Sequence, residues 1–75
     1  MLKVRIGAAE DGSFGVWSER DGGGTFAQPG DYVCLLNYLI GLQDNHGELA
    51  LETVSPGPKY QPLNAKEIAE IKSEL

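Results

Sequence analysis

Apolar and polar positions alternate from the first residues of the chain. Leu2, Val4, Ile6 and Ala8 are interleaved with Lys3, Arg5 and Gly7, the period of two expected of a half-buried strand. A second run, residues 13–19 (SFGVWSE), follows directly on Asp11-Gly12, so the two runs read as a β-hairpin. Its register decides where the only tryptophan points. A two-residue turn at Asp11-Gly12 pairs Ile6 with Trp17, which puts the indole on the Leu2, Val4, Ile6 face and turns Phe14 and Val16 outward. A three-residue loop, Glu10-Asp11-Gly12, with Gly12 in the left-handed position of a bulge, pairs Ala8 with Phe14 and Ile6 with Val16 instead. One face is then uniformly apolar. On the other, Lys3 faces Glu19 and Arg5 faces Trp17, an ion pair and a cation–π contact. The second register is preferred because it satisfies both faces. Trp17 then lies outside the hairpin's main core, either covered by another part of the chain or presented to a partner.

The alternation stops at residues 20–30 (RDGGGTFAQPG), which read as a loop with room for one short extra strand at 25–27. The glycine run is not a phosphate cradle, because Thr25-Phe26 follows it where the Walker pattern needs Gly-Lys-Ser or Gly-Lys-Thr. Beyond Pro29-Gly30 the period changes to that of a helix over 32–45, opened by Asp31 and stopped by Gly47. Tyr32, Leu35, Leu36, Leu39 and Leu42 form a wide apolar arc expected to lie on the hairpin. Val33, Tyr38 and Ile40 flank it, leaving Cys34, Asn37 and Gly41 as a narrow stripe of small residues. A helix this apolar is expected to be covered on its second side by the C-terminal segment or by another subunit. Residues 48–54 (ELALETV) alternate again as a further strand. Residues 55–62 (SPGPKYQP) are held extended by Pro56, Pro58 and Pro62, as a spacer or a strap over the domain. Asn64 with Glu67 three positions on forms a capping box, and Leu63 with Ile68 a hydrophobic staple, so a helix starts at Ala65. Its stripe of Ile68, Ile71 and Leu75 is narrow, and a helix so short must dock to persist. The expected fold class is α+β, with the order β-β-α-β-α in a single domain.

Composition bounds what such a domain can do. At 75 residues it is too small for a second core, and domains of this size bury only about 60% of the surface their unfolded chain exposes. One cysteine, Cys34, excludes an internal disulfide, and with a single histidine it cannot complete a structural zinc site. Association is the reinforcement left. Six Lys plus Arg against eleven Asp plus Glu give a net charge of -5, which opposes phosphate-backbone binding. With no apolar run behind a basic start and none long enough to span a bilayer, the expected location is cytoplasmic. Catalytic chemistry is poorly provided for. The only histidine, His46, sits between Asp44 and Glu48 in a turn-like stretch that lacks the calcium-loop pattern. Glycine-serine elbows, paired cysteines and Cys–His arrangements are missing, so no enzyme activity, cofactor, metal or small-molecule substrate is implied. Cys34 reads as a packing residue.

The order of strand, Asp11-Gly12 turn, strand, loop and a helix opened by Gly30-Asp31 resembles the HicB type of antitoxin over about the first fifty residues. That family continues its helix with Thr and a Glu-Glu-Ala run, where this chain has Tyr32-Val33-Cys34, so the resemblance implies an order of elements and little more. The functional expectation is a non-enzymatic protein-binding module, a small acidic inhibitor or accessory protein of antitoxin-like or phage type. Its partner-binding residues are expected among Lys3, Arg5, Trp17, Glu19, Phe26, Tyr38 and Tyr60. Two alternatives stand beside it. One is a subunit of an obligate homo-oligomer with helix 32–44 as the seam. The other is a weak binder of single-stranded nucleic acid through Lys3, Arg5, Trp17 and Arg20.

Overall fold

The computed structural model describes residues 1–20 and 22–75, the side chain of Arg20 excepted. The elements run β1 (Leu2–Ala8), β2 (Phe14–Arg20), β3 (Gly23–Gly30), α1 (Tyr32–His46), β4 (Leu49–Glu52), β5 (Gln61–Pro62) and α2 (Ala65–Glu74). The strands form one mixed sheet in the order β3-β2-β1-β4, and β5 also pairs with β1. β1 is therefore held along both edges. Antiparallel β2 lies on one side; parallel β4 (Leu2↔Leu49 to Arg5↔Glu52) and then antiparallel β5 (Gly7↔Pro62) lie on the other.

The hairpin adopts the three-residue loop. Ala8 pairs with Phe14, Ile6 with Val16 and Arg5 with Trp17. Gly12 takes φ 86°, a conformation that costs a residue without Cβ almost nothing. The Gly12 amide donates to the Ala9 carbonyl at 3.0 Å and the Ala9 amide to the Ser13 carbonyl at 2.8 Å. Asp11 holds the turn from inside, its carboxylate accepting from the Ser13 amide at 2.9 Å and hydroxyl at 2.6 Å.

Both helices lie on the face of the sheet that carries Val4, Ile6 and Val16. These three pack with Leu35, Leu39 and Leu42 of α1, Leu49 of β4, Leu63, and Ile68 and Ile71 of α2 into one core. Ser18 is the buried polar residue of this face, its hydroxyl 3.5 Å from the Thr25 carbonyl. Asp31 caps α1 by accepting from the Cys34 amide at 2.9 Å, and the Gly47 amide closes the last turn on the Gln43 carbonyl. The capping box of α2 is complete, with Glu67 N–H donating to Asn64 at 2.8 Å and Asn64 N–H to Glu67 at 3.1 Å. Leu63 and Ile68 are both buried, so the staple that starts this helix also docks it on its own domain.

Three expectations need correction. The glycine-rich stretch read as a loop is a full strand: the extra strand allowed at 25–27 runs from Gly23 to Gly30, because β2 leaves a free edge whose amides need partners and glycine offers no steric obstacle to pairing. Its register slips by a bulge between Phe14 and Val16. The strand read at 48–54 shortens to Leu49–Glu52, since β1 ends its parallel pairing at Arg5. Finally, Tyr32 leaves the core arc and is 41% exposed, resting its ring 6.1 Å from that of Phe14 at the rim.

Candidate functional site

The face of the sheet turned away from the helices carries the residues of opposite parity: Lys3, Arg5, Gly7, Gly15, Trp17, Glu19, Phe26 and Glu52. Two ion pairs lie across it. Lys3 Nζ is 3.8 Å from Glu19 and Arg5 Nε is 3.1 Å from Glu52. The Arg5 guanidinium also sits 4.7 Å from the centre of the Trp17 ring, so one arginine is fixed by a carboxylate on β4 and an indole on β2. Lys3 and Arg5 are each balanced by a carboxylate.

The remainder of the face is a glycine trough filled with aromatic rings. Gly7 and Gly15 are directly paired across β1 and β2. A Cβ at Gly7 would fall 2.7 Å from the Pro56 ring and 2.8 Å from Tyr60, and one at Gly15 would fall 2.8 Å from the Tyr60 ring. No side chain fits at either position. The segment Pro56–Tyr60 therefore lies as a strap on bare backbone. Its shape comes from its prolines and from Ser55, whose hydroxyl is 2.6 Å from the Gly57 carbonyl and 2.7 Å from the Tyr60 carbonyl. Tyr60 packs its ring 5.6 Å from that of Phe26 and accepts a hydrogen bond from Gln28 at 3.0 Å. On the next strand the Trp17 indole lies flat over Gly24, where an added Cβ would collide with the ring. Trp17 is thus half-buried, packed on Gly24 of β3 and approached by the Arg5 guanidinium of β1.

Between these rings and the strap runs an apolar groove of about 300 Å³, lined by Trp17, Phe26, Gln28, Pro56, Gly57, Pro58, Lys59 and Tyr60. Phe26 is 44% exposed beside it. Of the residues expected at a partner surface, Lys3, Arg5, Trp17, Glu19, Phe26 and Tyr60 share this face. Tyr38 does not: it belongs to α1, across the sheet, and packs against the core margin. The side chain of Arg20 lies outside the described residues. Sequence reasoning missed Gln28, Pro56, Pro58 and the three glycines. The signal for the glycines was present, since the preferred hairpin register already set Gly7 opposite Gly15.

Elsewhere the chemistry is quiet. The Asp31 carboxylate, beside the Cys34 side chain, pushes the Cys34 thiol above its ordinary range, which keeps it protonated. Among the described residues no three His, Cys, Asp or Glu side chains converge as a metal site, and no helix is long and apolar enough to cross a membrane. Comparison with known proteins finds no matching family model, no similar curated protein and no similar solved structure.

Proposed function

We propose that this protein is a non-enzymatic protein-binding module that engages a larger partner through the open sheet face around Trp17. The observation carrying this reading is the groove between Trp17, Phe26 and Tyr60, an aromatic surface that the chain's own helices leave uncovered. Tryptophan, tyrosine and arginine are the residue types most often found to supply binding energy at interfaces, within a polar rim that keeps water out. Here the Lys3–Glu19 and Arg5–Glu52 pairs form such a rim. The net charge of -5 steers the domain toward a basic partner, in keeping with a small inhibitor or accessory protein. Nucleic-acid binding is the weaker reading, because a phosphate would have to displace Glu19 and Glu52 from the cations it needs.

The test compares immobilised wild type with a Trp17→Ser, Phe26→Ser double variant and a Val33→Glu control in quantitative capture from a cell extract. Partners lost with the double variant and retained by the control support the reading. Equal capture by all three, or none by wild type, refutes it.

A further inference from the structure

The sheet has two open edges, and they are not alike. One is made by β4, four residues preceded by Glu48 and ending in Glu52, and by β5, two residues ending in Pro62. Short strands, charge and proline are the devices by which proteins keep a sheet edge from pairing further. The other edge is β3, which is eight residues long. From Gly22 to Gly30 there is no Asp, Glu, Lys, Arg or His, and Pro29 and the bulge are confined to the end of the strand. Gly23, Gly24, Thr25 and Phe26 are all exposed.

Hydrogen-bond alternation defines what this edge offers. The Ala9 amide donates to the Ser13 carbonyl, so along β2 Gly15, Trp17 and Glu19 turn their backbone groups to β1, while Val16 and Ser18 turn theirs to β3. Ile6 obeys the same alternation, its carbonyl accepting from the Leu63 amide on the side of β1 away from β2. Val16 and Ser18 are paired with Ala27 and Thr25. The N–H and C=O of Gly24 and Phe26 therefore point out of the sheet, with no strand among the described residues to meet them.

These two residues complement each other. When a second β3 lies antiparallel about a two-fold axis at Thr25, Gly24 falls opposite Phe26 of the second copy and Phe26 opposite Gly24 of the second copy, each pair exchanging two backbone hydrogen bonds. Opposed side chains share a face, so each phenyl ring, 44% exposed in the single chain, faces a residue without a side chain and meets the edge of the indole that roofs it. On the other face Thr25 meets Thr25 of the second copy, a favourable cross-strand pair. A two-fold at Phe26 would set ring on ring and bring Gly24 to Gln28, past Ala27, where the bulge breaks the register. One at Gly24 would bring Phe26 to Gly22, in the turn before the strand. We propose that β3 is the seam of an isologous homodimer, and that the occupant of this edge is a second copy of the chain paired antiparallel about Thr25. Such reciprocity is what a two-fold interface requires of a single surface.

Charge favours contact at this edge. Two copies of net charge -5 repel over most of their surface, and from Gly22 to Gly30 neither copy has a charge to desolvate. The pairing also limits itself. The edges that remain are β4 and β5, short, acidic and ended by proline, so assembly stops at two copies. Pairing over so few residues falls short of the roughly 800 Å² per partner of a standard interface, so the dimer is weak and reversible. The two-fold runs through the sheet from face to face, and both Trp17 grooves open on the same side of the dimer.

Sedimentation velocity of the purified full chain from about 1 to 500 µM brackets the affinity a seam of this size supports. The expected result is a concentration-dependent dimer. Thr25 is exposed and edge strands accept charged residues, so Thr25→Lys and Thr25→Glu probe the pairing, with far-UV circular dichroism checking that each variant is folded. Either variant alone sets like charges face to face at the two-fold and should raise the dissociation constant about tenfold or more. An equimolar mixture of the two should dimerise again, because opposite charges then meet. That recovery requires residue 25 to lie opposite residue 25, and a loss of fold could not produce it. Val33→Glu, on α1, should leave the dimer unchanged. A chain that is monomeric at every concentration, its β3 edge left to a strand of another protein, overturns the proposal. So does a dimer that survives both Thr25 substitutions, or a mixture that fails to recover it.

Discussion

Replacing Gly15 by alanine tests the glycine trough directly. The new Cβ would lie 2.8 Å from Cε1 and Cζ of Tyr60 and 3.1 Å from Cζ of Phe26, where carbon atoms prefer about 3.5–4.0 Å. The Tyr60 ring must therefore retreat by about 0.7 Å or more, away from Phe26 and from the Gln28 donor that now holds it at 3.0 Å. Overpacking of this kind costs about 1–3 kcal/mol. Alanine in a strand regains about 0.5–1 kcal/mol over glycine, so the net expectation is a loss of about 0.5–2 kcal/mol. Urea unfolding followed by Trp17 fluorescence measures it in four proteins: wild type, Gly15→Ala, Tyr60→Ala and the double variant. With Tyr60 truncated only the 3.1 Å contact to Phe26 is left, a ring that no longer has Tyr60 behind it, and Gly15→Ala should cost clearly less than in wild type, approaching neutral. An equal loss in both backgrounds would mean that Tyr60 is not what forbids a side chain at Gly15, and the description of the trough would be wrong.

Two further outcomes are expected. Gly24→Ala should push the Trp17 indole off β3 into water, red-shifting its emission and raising its quenching by acrylamide; an unchanged spectrum contradicts the placement of the ring over Gly24. Acid should weaken the fold through Asp31 and Asp11, whose carboxyls are held below their ordinary 3.8 by hydrogen bonds from Cys34 and Ser13 respectively. A carboxyl depressed in the folded state stabilises it above the unfolded value and loses that contribution as pH falls through the folded one. The urea midpoint should therefore fall as pH is lowered below about 4, and fall less in an Asp11→Asn, Asp31→Asn variant, which keeps the cap while removing the titration. Equal acid sensitivity in the two proteins would contradict the assignment.

Most of the local structure was readable from residue pattern because it depends on neighbours in sequence. The Glu10-Asp11-Gly12 loop, the Asp31 cap and the Asn64–Glu67 box are each closed by groups a few residues apart. The apolar alternation fixed the hairpin register, and with it the side of the sheet on which Trp17 stands. What escaped was set by distant parts of the chain. β3 carries glycines where a strand normally shows its period, so no alternation announced it; its pairing is dictated by the free edge of β2 and by the indole that needs Gly24 bare. Tyr60 was recognisable as an aromatic, but its place in the groove depends on the strap lying over Gly7 and Gly15, which no local pattern encodes. Tyr38 flanks the apolar arc of α1, and the packing of that helix sets it across the sheet from the other partner-facing residues, against the core margin.

The position of β1 has a kinetic consequence. β2 and β3 follow it by short turns, so that meander can form from contacts close in sequence. The other edge of β1 waits for Leu49 to pair with Leu2 and for Pro62 to pair with Gly7, contacts whose loop-closure entropy must be met before they return any stabilisation. The barrier to folding is thus expected to lie in closing the chain's second half onto its first strand. During synthesis β1 therefore stays unpaired along its second edge until β4, and then β5, have emerged.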